Sequence, residues 1–169
     1  MFRSKRILYL GSISLLVLSS LMFIAHTKLA PTAHAASCNT VATGDWSNNC
    51  QVSEGNISNF VYGIQQAINV SGDGCSALTV DGDFGPATKT GVKCFQAVAN
   101  FPTNEQDGIV GQMTWGAMYT TVHGIFDGSN GGWDYYNGDT FRKWHSTGVW
   151  YVFVPRDSEW CQMNLDSPC

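Results

Sequence analysis

The side chains with chemistry to offer are few and clustered. Six cysteines stand at positions 38, 50, 75, 94, 161 and 169. His123, His145 and the acids Asp127, Asp134, Asp139, Asp157, Glu159 and Asp166 fall in the last third of the chain. A zinc site needs three or four ligands at regular spacing. Here there is no Cys-x-x-Cys pair, and no spacing motif joins the two histidines to an acid. A cysteine nucleophile needs a free thiol beside a base, whereas an even cysteine count in an exported chain reads as three disulfides. Closure of the shortest loops favours Cys38–Cys50, Cys75–Cys94 and Cys161–Cys169. A glycosidase needs two facing carboxylates, but with six acids in the tail some pair must fall close, so the coincidence carries no information. The segment 123–169 is also too short, at 47 residues, to build a separate catalytic domain. The expectation is therefore no enzyme: no catalytic residue, no metal and no cofactor. A small hydrolase working from the tail is the least favoured alternative.

Export is read from the first residues. Arg3, Lys5 and Arg6 precede an uncharged, largely apolar run from Ile7 to Ala25, and Ala33-His34-Ala35 offers a small-x-small cleavage pattern. Residues 1–35 are thus expected to be a signal peptide; the competing reading is an uncleaved anchor, since the run is nearly long enough to span a bilayer. Removal would take four of the nine Lys+Arg and none of the thirteen Asp+Glu, leaving five against thirteen and a net charge of −8 instead of −4. Nucleic acid is then a poor partner, because phosphate polymers are bound through counterion release to Lys and Arg. No second membrane span follows, so no membrane contact is expected after cleavage.

The elements that position these residues are mostly helical. Ile57, Phe60, Val61, Ile64 and Ile68 recur in steps of three and four, behind Asn56 as an N-cap and ahead of the Ser71–Gly74 stop. Gly85-Pro86 opens a second helix with Thr88, Val92, Phe95 and Ala99 on one face. A third follows Gly111, with Trp115, Met118 and Val122 pointing inward. The chain also echoes itself. Val61-x-x-Ile64-Gln65 returns as Val92-x-x-Phe95-Gln96, and Asp81-Gly82-Asp83-Phe84-Gly85 as Asp107-Gly108-Ile109-Val110-Gly111. Each copy leads from an Asp-Gly turn to an apolar plug and a glycine at the helix start.

Taken in that order, these motifs resemble the peptidoglycan-binding domain-like family over roughly residues 55–122. Gln112 stands where that family commonly has a second proline, and the Cys75–Cys94 staple is atypical of it. The resemblance implies a three-helix bundle that holds an exported protein on cell-wall peptidoglycan, with a shallow groove between the second and third helices. Asp83, Thr88, Gln96, Trp115 and Tyr119 are the candidates around that groove. Asp81, Gly82, Phe84, Gly85, Asp107, Gly108 and Gly111 are expected to be architectural. For Gln65 and Gln96 two roles stay open, satisfying loop backbone or touching a sugar or peptide.

The expected class is accordingly mainly α: a disulfide-stapled three-helix bundle with an N-terminal arm (36–54), a helical domain (55–122) and an aromatic, Gly-rich extension (123–169). Ten aromatics lie in that extension. Gly124–Gly138 reads as loop, and Thr140–Trp144 with Val149–Val154 as a hairpin. Alternating Val149, Tyr151 and Phe153 suit one buried face. Trp133, Tyr135 and Tyr136 are the residues of this segment best placed to form an exposed stacking platform. The expected protein is a secreted, monomeric, cell-wall-associated binder of peptidoglycan or a related wall polymer; a structural or interaction protein with the same fold and another ligand is the runner-up.

Overall fold

In the computed structural model, which describes residues 42–163, three helices precede one antiparallel sheet. The leader reading (1–35) lies outside these residues. So, in part, do the pairings Cys38–Cys50 and Cys161–Cys169, although Cys50 and Cys161 are each disulfide-bonded. Helix α1 spans Asn59–Ser71, α2 Pro86–Val98 and α3 Gln112–His123. The expected order of helices holds, with two local corrections. Ile57 is not on the first helix but 66% exposed, because it pairs with Asp83 in an isolated bridge. Asn56 does not cap that helix; its side chain accepts from the Ser53 amide, and Ser58 takes the cap position. At the far end of α2, Ala99 is an exposed cap rather than a core residue.

Helix α1 is buried around its whole circumference from Asn59 to Ile68. Helices α2 and α3 pack against it, and strand β4 (Trp150–Val154) covers a further face. Residues that are polar or small by type make that cover possible. Asn59 Nδ2 donates to the Gln162 carbonyl at 2.9 Å and Gln66 Nε2 to the Phe153 carbonyl at 3.0 Å. At Gly63 a Cβ would come within 2.4 Å of Met163 Cε, so any side chain there would force the methionine to move. The Cys75–Cys94 disulfide forms as expected, with a Cα–Cα distance of 5.8 Å, and pins the loop after α1 to α2.

The expected hairpin is present as two consecutive antiparallel strands, Phe141–Trp144 and Trp150–Val154, but it belongs to a larger sheet, and the chain is not mainly α. Strands β1 (Phe126–Asn130), β2 (Trp133–Tyr136), β3 (Phe141–Trp144), β4 and β5 (Glu159–Gln162) form a sheet in sequence order, each pair antiparallel. The segment 124–138 looked like loop because its glycines sit at the turn and the bulge of two short strands. Gly131 and Gly132, both at positive φ, form the two-residue turn joining β1 to β2, a geometry that favours glycine. Gly128 (φ 133°) lies where the β1–β2 register slips.

The buried face of β4 is also out of phase with expectation. Trp150, Val152 and Val154 point into the core, and Tyr151 and Phe153 point away. Tyr136, expected on a platform, is 1% exposed beneath the sheet. Its hydroxyl pKa is pushed up to about 12, first by burial and then by the nearby Asp134 and Tyr119.

Helices and sheet share one apolar core, and Trp46 of the arm sits in its middle. Its ring lies 5.9 Å from Trp115, 5.9 Å from Phe141 and 5.1 Å from Trp150. Trp46 also adopts the left-handed backbone (φ 62°), which is costly for a bulky residue and persists only where packing enforces it. The arm is bonded to both halves. Val52 and Val110 exchange backbone hydrogen bonds at 3.0 and 2.8 Å, while Ala42 accepts from Trp150 N and donates to Met163 O.

Candidate functional site

The two Asp-Gly turns are built alike, each around a buried glutamine. Gln65 Nε2 donates to Asp81 Oδ1 (2.7 Å), the Asp83 carbonyl (3.0 Å) and Thr88 Oγ1 (3.1 Å). Its Oε1 accepts from the amides of Asp81 and Gly82, both at 3.0 Å. In the second copy Gln96 Nε2 donates to Asp107 Oδ1 (3.2 Å), the Ile109 carbonyl (2.9 Å) and Thr114 Oγ1 (3.1 Å), and its Oε1 accepts from Gly108 N (2.9 Å). A primary amide suits this task because its two N–H donors, shared among three acceptors, and its two acceptor lone pairs meet at one point. Asp81 and Asp107 each close their own turn by accepting from the amide two residues on.

Both turn glycines are required by conformation and by space. Gly82 has φ 75° and a Cβ there would meet the Tyr62 ring at 2.7 Å; Gly108 has φ 78° and would meet Lys89 Cγ at 2.8 Å. Phe84 and Val110 fill the core; Phe84 also bonds to Gly55 and Asn56 just ahead of α1, and Val110 to Val52 of the arm. Gly85 and Gly111 occupy the cap positions in extended conformation without steric demand.

This geometry resolves the two roles left open for the glutamines and corrects two of the candidates, Thr88 and Trp115. Gln65 and Gln96 satisfy loop backbone and are each 1% exposed. Thr88, at 3%, donates to the Asp83 carbonyl inside the first turn. Trp115 is fully buried and donates its indole N–H to the Cys50 carbonyl at 2.8 Å. Neither Thr88 nor Trp115 offers a face to a polymer. Asp83 is exposed on the first turn, and Tyr119 is half-buried among the rings of Trp46, Trp150 and His123. Burial, and secondarily Asp45, raises the Tyr119 hydroxyl pKa.

A shallow cleft does open between the end of α2 and the start of α3, beside the second turn. Its volume is about 330 Å³, and Gln96, Asp107 and Thr114 contribute to its lining. Besides the exposed Asp107, the accessible walls come from residues not among the groove candidates: Gln51, Phe101, Glu105, Ile109, Gln112 and Met113. Met113 is 58% exposed. The available signal was its place on α3, off the Trp115–Met118–Val122 face. Neither Asp83 nor Tyr119 reaches this cleft.

A second polar cluster lies on the sheet. Asp134 accepts from Ser129 Oγ at 2.6 Å and bonds His145 Nε2 at 2.5 Å, with Lys143 Nζ at 3.6 Å. Burial acts to raise the Asp134 pKa, but the bonds from Ser129 and His145 and the neighbouring charges outweigh it, so the carboxyl sits below its ordinary value. The serine bonds to the carboxylate and not to the imidazole, which is not the arrangement of an activated nucleophile.

Fold and cleft together define a small disulfide-pinned helical domain with a solvent-open cleft. Residues 58–118 match the family model described as "Putative peptidoglycan binding domain". No curated protein and no solved structure gives a match.

Proposed function

We propose that this protein is an exported, non-catalytic, monomeric binder of cell-wall peptidoglycan, engaging the polymer at the α2–α3 cleft. The observation that carries the reading is the position of that cleft within residues 58–118, the segment that matches the peptidoglycan-binding family. Its walls suit a wall fragment. Gln51, Gln112 and Glu105 offer donors and acceptors to amide and hydroxyl groups, and Phe101, Ile109 and Met113 offer apolar contact.

Export is supported by the leader pattern of residues 1–35 and by paired cysteines, which persist in oxidising compartments. The non-catalytic reading is supported by the size of the extension, 47 residues whose sheet shares the helices' core. A shallow surface gives weak single contacts, and a repeating insoluble polymer compensates through multivalency. Retention on washed, purified sacculi tests the reading. The protein is expected to pellet with the sacculi in a saturable way, and recovery wholly in the supernatant would refute it. The same suspension should show no loss of turbidity; clearing would return the hydrolase alternative.

A further inference from the structure

The outward face of the sheet carries an unusual set of side chains. Strand register places Trp133 and Tyr135 of β2, Arg142 and Trp144 of β3, Tyr151 and Phe153 of β4, and Trp160 and Gln162 of β5 on one side. Across four strands, that makes six aromatics, one guanidinium and one amide, with Val149, just ahead of β4, the one aliphatic at its edge. The rings interlock at two ends. Trp133 meets Trp144 at 4.6 Å and Tyr151 at 5.1 Å, and Phe153 meets Trp160 at 5.4 Å. The ends are four residues apart along the strands, about 13 Å. Between them Arg142 lies flat, 3.8 Å over the Trp160 ring and 5.1 Å from that of Tyr135.

We infer that this face is a second binding surface, one that stacks the pyranose rings of an uncharged, β-linked polysaccharide chain. The inference rests on the wall-binding reading above but concerns a surface outside the family-matched segment. Charge selects the occupant. Arg142 is held in a two-bond pair with Asp139 (2.8 and 2.6 Å), so the face carries no net charge and gives an anionic polymer no cation to seek. Its remaining N–H groups, the Tyr hydroxyls and Gln162 supply hydrogen bonds between the rings, where a sugar carries its equatorial hydroxyls. An equatorially linked chain is a flat ribbon that lays alternate C–H faces down, and the length of the platform suits an oligosaccharide better than one sugar. A lipid surface would call for aliphatic residues across the face, where Val149 stands alone at the edge.

The test uses the full chain and chitohexaose, an uncharged β-linked oligosaccharide, by titration calorimetry. The wild type is expected to bind, and Trp133→Ala/Tyr151→Ala to bind about tenfold more weakly with an unchanged circular-dichroism spectrum. Should that pair unfold, Trp144→Ala alone is expected to weaken binding by about threefold. Wild-type protein that ignores chitohexaose yet pellets with sacculi overturns this inference and leaves the wall-binding reading intact; loss of both overturns both. Sedimentation showing a dimer that either variant dissolves assigns the face to a second copy and also overturns the inference.

Discussion

The helical part and the sheet use their recognisable residues in opposite ways. In the helices, the side chains that stand out in the sequence are consumed by architecture: Gln65, Gln96, Thr88 and Trp115 are 0–3% exposed and bonded to backbone or to one another. In the sheet no motif stands out, yet six half-buried aromatic rings share one outward face. A repeated motif therefore marks where the chain must fold one way, and the surface available to a ligand lies between or beyond such motifs.

The sharpest way to break this contrast is to remove a turn clamp. Gln65→Ala leaves the amides of Asp81 and Gly82 and the Thr88 hydroxyl without their shared partner, and should cost about 3 kcal/mol in urea unfolding. A cost near zero would mean the glutamine is not structural. Gly82→Ala forces a side chain into positive φ and onto Tyr62, for an expected loss of about 2 kcal/mol by the same measurement. Trp144→Ala, on the outward sheet face, should cost only about 1 kcal/mol, the worth of cross-strand ring contacts; a loss as large as that for Gln65 would make the platform a second core.

The helical grammar was legible because each signal has a single physical use. Asp-Gly demands a tight turn, Gly85-Pro86 suits only a helix start, and the steps among Phe60, Val61, Ile64 and Ile68 fit one face. The sheet was less legible because apolar character alternates there without contrast. Trp150, Val152 and Val154 are as apolar as Val149, Tyr151 and Phe153, so period two was readable and its phase was not. The far side of α1 was hidden for a related reason. Asn59, Gly63 and Gln66 look like a solvent face until β4, β5 and Met163 cover them. Trp46 gave no local sign that a residue of the arm would sit in the shared core.

The burial of Tyr136 yields a smaller, pH-limited effect. Its pKa is raised to about 12 in the folded protein, so the native state keeps a proton that the unfolded chain releases above its ordinary value of 10.0. Stability should therefore fall as pH rises from 10 towards 12, and thermal melts of Tyr136→Phe should show a shallower alkaline decline. Parallel declines would indicate that the phenol is solvated.

The central claim is that the α2–α3 cleft, and not the motif residues around it, meets the wall. Sacculus binding of Met113→Asp against wild type measures this most directly, since Met113 is 58% exposed at the cleft and supports no core packing. The account expects affinity about tenfold weaker with an unchanged melting temperature. Equal binding by the two proteins would contradict it.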